Sequence, residues 1–214
     1  MNTKTVKKIL LPIAGIVAIL ILWLFATAGV YSITHPTISL EVIDKPIDSS
    51  IISAKQVEAY LSNEIHYNKK LDKYNLKIGS IEMKIDDDHK GEVTVIFVQR
   101  EIKRPKVVFA YLDTRKGIFN RFQDFGRESR LYPGIINLRE WSIDSTDAVR
   151  ITEEFFSDKD GFRYDEIWLY SYNDSLADYS GSEEGWLVYL TDKINNIRYN
   201  TRINPYSGEV VTHF

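Results

Sequence analysis

The residues that could do chemistry are scattered along this chain and form no catalytic motif. A nucleophilic triad needs a hydroxyl or thiol beside a base. The sequence has no cysteine, no G-x-S-x-G motif and only four histidines, which are His35, His66, His89 and His213. Their separation does not indicate one site. The sequence therefore predicts no catalytic residues and no cofactor, and it predicts that the protein is not an enzyme.

Two acidic stretches contain residue types that could bind a metal ion or catalyse hydrolysis, but neither has the spacing that such a site requires. IDDDHKGE, residues 85–92, offers three carboxylates and an imidazole to a hard cation. It lacks the ligand spacing of an EF-hand, and its place between two strand-like runs favours a solvated hairpin tip. Glu153 and Glu154 point about 100° apart on a predicted helix, so they do not face each other as glycosidase chemistry requires. No metal site is predicted.

Aromatic residues supply the candidate binding surface. Trp168, Tyr170 and Tyr172 alternate along IWLYSY and so project from one face of a predicted strand. Trp186 and Tyr189 follow on the next strand, on opposite faces of it. Such residues either stack on sugar rings and partner side chains or form the core under a helix. The predicted partner-binding residues are Trp168, Tyr170, Tyr172 and Trp186.

Two similar helix-and-strand segments must position these residues. In the first, Ser53 and Gln56 have the form of a capping box, and an apolar face follows at helical spacing through Val57, Tyr60, Leu61 and Ile65. Strand-like runs then lead to the turn DTRKG, residues 113–117. In the second, Asp144 or Ser145 is the predicted N-cap, and the predicted buried face of the helix carries Ala148, Ile151 or Thr152, and Phe155.

The second segment ends in the turn NPYSG, residues 204–208, which resembles DTRKG. In each turn an Asp or Asn side chain can bond to the backbone two residues on, and the Gly can adopt a positive φ. Both stretches therefore predict a structural hairpin. The order of helix, strands and turn recurs at an offset of about 90 residues, which predicts an internal duplication.

A hydrophobic block precedes both segments. Residues 9–31 contain 23 consecutive positions without a charge, enough to cross a hydrocarbon layer of roughly 30 Å. Lys4, Lys7 and Lys8 precede it, and positive flanks stay in the cytoplasm. We expect a single-pass protein of the cell membrane whose later residues face outward. The alternative is a cleaved signal peptide, because ATA at 26–28 has the form of a cleavage site.

The predicted domains are residues 1–8 as a cytoplasmic N-terminus, 9–31 as a transmembrane helix, 32–50 as a stalk, 51–125 as a first module, 126–142 as a linker and 143–214 as a second module. The predicted fold class is α+β, with each module a helix packed on a three- or four-stranded antiparallel sheet. All 30 acidic residues follow position 31, so nucleic acid is not an expected partner. A Cys-free exported chain is typical of a bacterial envelope.

The strands WLVYL and IRYNTRIN and the ending NPYSGEVV resemble the PepSY family of extracytoplasmic modules. The resemblance covers most of residues 143–214 and, more faintly, 52–125. It implies a cystatin-like module, present twice. A membrane helix before two such modules is also similar to the TseB-like regulators of cell-wall elongation, which implies binding of an envelope protein such as a peptidase or cell-wall synthase. The alternatives are a cell-wall polymer hydrolase, a carbohydrate-binding envelope protein, or a passive spacer or sensor.

Overall fold

The structure, a computed structural model, describes residues 42–69, 71–99, 106–127, 134–173 and 184–213. These residues fall in the compact unit Ile38–Phe214, and the other unit, Met1–Thr37, lies outside the described residues. The helices are α1, Ala54–Tyr67, a 3-10 turn, Asp72–Tyr74, and α2, Ser145–Phe156. The strands are β1 (Val42–Pro46), β2 (Leu76–Ile85), β3 (Gly91–Gln99), β4 (Lys106–Asp113), β5 (Ile118–Arg127), β6 (Glu166–Asn173), β7 (Glu184–Asp192), β8 (Ile197–Ile203) and β9 (Val210–His213).

The strands form one antiparallel sheet. Its order is β1-β5-β4-β3-β2-β6-β7-β8-β9, so the first five strands make one half and the last four make the other. The halves join where β2 pairs with β6, from Glu82 opposite Tyr170 to Ile85 opposite Ile167. We call this strand pair the seam. Backbone hydrogen bonds thus run across the whole sheet without a break between the halves.

The predicted fold class is therefore wrong. The described residues form a single large antiparallel sheet with two helices, not separate helix-on-sheet modules behind a transmembrane helix. Neither described helix is long and apolar enough to cross a membrane, and residues 9–31 lie outside the described residues. The sequence pattern could not reveal the seam, because strand alternation specifies which face a residue occupies and not which distant strand lies beside it.

Residues outside the two predicted modules also belong to this fold. β1 lies within the predicted stalk, residues 32–50, and pairs with β5. Within the predicted linker, residues 126–142, the side chains of Ile136, Leu138 and Trp141 are buried in the core. The Ile136 N–H donates to the Ile78 carbonyl at 3.0 Å. The connection therefore packs against the sheet instead of spacing two bodies apart.

Helix α1 begins as predicted. The Ser53 hydroxyl accepts from the Gln56 N–H at 3.4 Å, and the Gln56 side chain accepts from the Ser53 N–H at 3.0 Å, which confirms the capping box. The buried face of α1 consists of Ala54, Val57, Leu61 and Ile65. The first N–H groups of a helix have no partner within the helix. In α1 side-chain oxygens accept from them, so the first turn can be buried.

Helix α2 has Asp144 as its N-cap, one of the two predicted residues. The same carboxylate accepts from the Lys55 N–H of α1 at 3.3 Å, and Ser145 Oγ accepts from the Ala54 N–H at 2.8 Å. The two helix starts therefore share polar partners, and one negative charge faces both positive helix ends. Ala148 and Thr152 of the predicted face are buried, but the prediction for Phe155 is wrong, since Phe156 is buried in its place and Phe155 is 41% exposed.

The core covers one face of the sheet, under both helices. Met83 and Leu169 face each other across the seam, so they point to the same side, and both are buried with the apolar residues of α1 and α2. The predicted alternation of Ile81, Met83 and Ile85 is confirmed by their burial. The opposite side, which we call the outer face, carries the remaining strand residues and is not covered by either helix.

The two resembling turns are hairpins, as predicted. The Lys116 N–H donates to the Asp113 side chain at 2.9 Å, and the Tyr206 N–H donates to the Asn204 side chain at 2.9 Å. Gly117 and Gly208, which end these turns, have φ values of +66° and +75°. A helix followed by four strands occurs in each half. The internal duplication itself stays a prediction.

Candidate functional site

Trp168 and Tyr170 lie on the outer face. Their neighbours along β6, Ile167, Leu169 and Ser171, are buried under the helices, whereas the two aromatic side chains are half-buried. The two rings lie nearly parallel, with 6.2 Å between centroids and 15° between planes. The sequence left open whether these rings form a binding surface or the core under a helix. The structure places these two rings on the side that solvent can reach.

The other two predicted binding residues are in different surroundings. Trp186 is fully buried in the core, where its indole N–H donates to the Ile143 carbonyl at 2.9 Å. Its ring contacts Trp141 edge-on, with 5.1 Å between centroids. Trp186 therefore does not join Trp168 and Tyr170 on one surface. The backbone of Tyr172 pairs with Gly185 in the sheet, and its side chain lies outside the described residues.

A shallow depression surrounds the two outward rings. It has a volume of about 360 Å³ and is lined by Trp168, Tyr170, Leu187, Tyr189 and Arg198. Strand register explains the set, because Trp168 faces Tyr189 and Tyr170 faces Leu187. The prediction that Tyr189 and Trp186 lie on opposite faces of their strand is confirmed, because Trp186 is buried in the core and Tyr189 lines the depression. The sequence pattern did not predict that Arg198 lines the depression, because its position depends on the pairing of β7 with β8.

The outer face continues from the depression into the first half of the sheet. Facing residues form an unbroken row across the seam, because each strand pairs with the next in register. In order from the second half to the first, the row is Tyr170, Glu82, Thr94, Tyr111 and Arg121. The seam therefore brings together aromatic residues that lie about 60 positions apart in the sequence.

Basic side chains lie over the rings of the outer face. The Lys84 ammonium is 4.8 Å from the centroid of Trp168, and the Arg198 and Arg121 guanidinium groups are 5.0 Å and 5.1 Å from the centroids of Tyr189 and Tyr111. Each distance is within the range of cation–π attraction. These contacts hold long basic side chains flat on the sheet and keep the aromatic surface partly covered.

Glu166, at the start of β6, anchors one end of this surface. Its carboxylate is 3.3 Å from the Lys84 ammonium and 2.7 Å from the Lys193 ammonium. Burial alone would raise the pKa of Glu166, but hydrogen bonds from Lys193, Trp168 and Lys84 lower it to about 2. The charge on Glu166 therefore orients Lys84 and the Trp168 indole at once, which preorganises this end of the depression.

The acidic stretch IDDDHKGE forms the β2–β3 hairpin tip. Asp86 accepts from the Asp88 and Lys90 N–H groups at 3.1 Å and 2.9 Å, and Arg115 donates to it twice, at 3.0 Å and 2.8 Å. Burial raises the pKa of Asp86, but these bonds outweigh it and the pKa is lowered. Within the described ranges no group of three acidic or imidazole side chains is placed to hold a metal ion.

A larger cleft of about 710 Å³ lies between α1, the start of β2 and residues 135–139. Its charged residues include Glu58, whose carboxylate is 3.5 Å from Arg139. Burial raises the pKa of Glu58, and Arg139 opposes that shift. The charge of Glu58 is thus compensated within the chain, and among the described residues no aromatic rings comparable to the half-buried ones of the outer face line the cleft.

Comparisons with protein-family models, with curated proteins and with solved structures found no match to this chain. The resemblance to PepSY-like and TseB-like proteins stays a prediction from the sequence. The candidate site is accordingly defined by its own chemistry. It is an outward aromatic surface with basic side chains on its rings and an acidic anchor at one end.

Proposed function

We propose that this chain is a binding and regulatory protein, not an enzyme, and that it recognises a protein of the cell envelope, such as a peptidase or a cell-wall synthase, through the outer face. One observation carries the proposal: Trp168, Tyr170 and Tyr189 surround a depression on the solvent side of the sheet. Aromatic residues in such positions dominate the energetics of protein interfaces. A rigid sheet presents them with little conformational entropy left to lose on binding.

The hydrolase alternative has less support. Hydrolysis of a wall polymer needs two carboxylates that face each other across the bound sugar. The residues that line the depression carry one guanidinium and no carboxylate. A carbohydrate-binding function has one observation in its favour, since the nearly parallel rings of Trp168 and Tyr170 form a flat surface of the kind on which sugars stack.

The proposal is tested by crosslinking and capture from native membranes. The full chain is compared with Trp168→Ala, Tyr170→Ala and the control Tyr67→Ala, which removes an aromatic side chain that is 80% exposed at the end of α1. We expect the wild type and Tyr67→Ala to recover the same envelope protein. Each of the other two variants should recover it at least about tenfold less well, as removal of an interface hot spot does.

The outcomes separate the alternatives. Recovery of no protein by the wild type contradicts the proposed function, and recovery of wall polymer in its place supports carbohydrate binding. Equal recovery by all four proteins contradicts the outer face as the contact surface. Attachment to the cell membrane, with the later residues outside the cytoplasm, stays a prediction from the hydrophobic block at 9–31. Fractionation and protease accessibility of intact cells test it.

A further inference from the structure

Glu82 stands in the middle of the outer face, at the seam. It faces Tyr170 on β6 and Thr94 on β3, and Thr94 in turn faces Tyr111 on β4. Facing side chains on one side of a sheet are neighbours, with Cβ atoms about 5 Å apart. The Glu82 side chain therefore lies beside Tyr170 of the second half, and Thr94 separates it from Tyr111 of the first half, at a position that is half-buried and reachable from solvent.

Glu82 has no counter-charge in the part of the chain that the structure describes. Its side chain makes no hydrogen bond or ion pair with any of those residues, in contrast to that of Glu166, which has two lysine partners. Three basic residues of the outer face contact other groups. Lys84 contacts Glu166 and Trp168, Arg121 lies over Tyr111, and Arg198 lies over Tyr189.

A half-buried carboxylate without a counter-charge is unfavourable, because burial disfavours the charged form. Burial raises the pKa of Glu82, and none of the described residues offsets that effect. Burial and the negative charge of Glu82 also raise the pKa of Tyr170, and burial together with Glu82 raises that of Tyr111 against the lowering effect of Arg121. A cation bound beside Glu82 would relieve the uncompensated charge and would lie next to the Tyr170 ring.

We propose that Glu82, Tyr111 and Tyr170 form a subsite for a basic side chain, lysine or arginine, of the protein partner. Charge complementarity favours this occupant, since an uncompensated carboxylate beside an aromatic ring attracts a cation and repels an anion. The proposal rests on the proposed function for the partner itself. The subsite can nevertheless be tested without that partner.

The test measures binding of the tripeptides Gly-Lys-Gly and Gly-Arg-Gly to the full chain in detergent, with Gly-Glu-Gly as the anionic control. Binding is followed by NMR of carbon-13-labelled tyrosine rings, assigned with Tyr111→Phe and Tyr170→Phe. The key variant is Glu82→Gln, which keeps the size of the side chain and removes its charge. The matched control is Glu92→Gln, which removes an exposed carboxylate from the adjacent strand β3.

We expect the basic tripeptides to shift the signals of both rings in the wild type and in Glu92→Gln, and to bind about tenfold more weakly to Glu82→Gln. Equal binding to wild type and Glu82→Gln, equal shifts with Gly-Glu-Gly, or no shift at all would overturn the subsite. These results are independent of the capture experiment. A wild-type chain that binds the basic tripeptides but captures no protein contradicts the proposed function alone. A wild-type chain that captures its partner but binds no basic tripeptide contradicts the subsite alone.

Discussion

Replacing Ser171 with alanine should weaken the seam that joins the two halves of the sheet. The regular pairing of β2 with β6 ends at Glu82, and the polar groups beyond it are met by serine side chains. Ser171 Oγ accepts from the Ile81 N–H at 2.6 Å, and Ser80 Oγ donates to the Ser171 carbonyl at 3.0 Å. Ile81 and Ser171 are 0% and 2% exposed, so water does not replace the lost hydroxyl.

The expected cost follows from the group left without a partner. Ser171→Ala leaves the Ile81 N–H buried and unpaired, which costs about 1–3 kcal/mol. The Ser80 hydroxyl keeps its bond, because its acceptor is the backbone carbonyl of residue 171. We therefore expect the free energy of unfolding to fall by about 2 kcal/mol. This is a large part of the roughly 5–15 kcal/mol that stabilises a typical domain.

Urea unfolding followed by tryptophan fluorescence and by far-ultraviolet circular dichroism measures this loss. Trp141, Trp168 and Trp186 all belong to the later part of the chain, whereas circular dichroism reports on α1 and α2 together. Coincident transitions at an unchanged m-value are expected, because the sheet crosses the seam without a break. The control, Ser157→Ala, removes an exposed hydroxyl and should cost less than about 0.5 kcal/mol.

Two results would refute this reasoning. A change for Ser171→Ala as small as that of Ser157→Ala would mean that the seam hydrogen bond contributes nothing. Separate transitions for the two signals in the wild type would mean that the halves unfold independently, which contradicts one cooperative sheet. A double-mutant cycle with Ser80→Ala then measures how far the two serines act together.

Two further predictions concern the turns and the acidic anchor. Gly208→Ala should lower the thermal unfolding midpoint more than Gly117→Ala. Both glycines have positive φ, where alanine costs about 1–2 kcal/mol, but only at Gly208 would a Cβ atom also lie 3.2 Å from Ile143 Cδ1. Equal midpoints contradict that contact. Glu166 has a folded-state pKa of about 2, below its reference value of 4.5, so its stabilisation is present above pH 4.5 and is lost as the pH falls toward 2. The full shift corresponds to about 3 kcal/mol, which solvent screening of half-exposed lysines reduces to about 1 kcal/mol. Glu166→Gln should remove this part of the acid dependence in urea unfolding, and an unchanged pH profile contradicts it.

Local features of the fold could be predicted where a few neighbouring residues determine them. The capping box of Ser53 and Gln56 and the hairpin turns at 113–117 and 204–208 are formed as expected. Each depends on contacts within about five residues, for which residue type is sufficient. The end of the buried face of α2 could not be predicted in this way, because Phe155 and Phe156 both suit an apolar position and only packing against the sheet selects Phe156.

The candidate site could be predicted only in part. Alternation placed Trp168 and Tyr170 on one side of their strand, but the same pattern fits a core face and an exposed face equally well. Trp186 was assigned to the surface from its type, and the structure buries it beside Trp141. Arg198 and Tyr111 joined the outer face through strand register, for which a single sequence contains no direct signal.

The sequence by itself determined the local elements of this protein: two capped helices, alternating strands and two Gly-terminated hairpins. Tertiary structure decided how these elements are used. Pairing of β2 with β6 makes one sheet from two halves, and both helices cover the same side of it. The physical reason is that hydrogen-bonded neighbours of a strand are chosen by long-range packing, so a carboxylate from the first half and aromatic rings from both halves meet only in the folded chain.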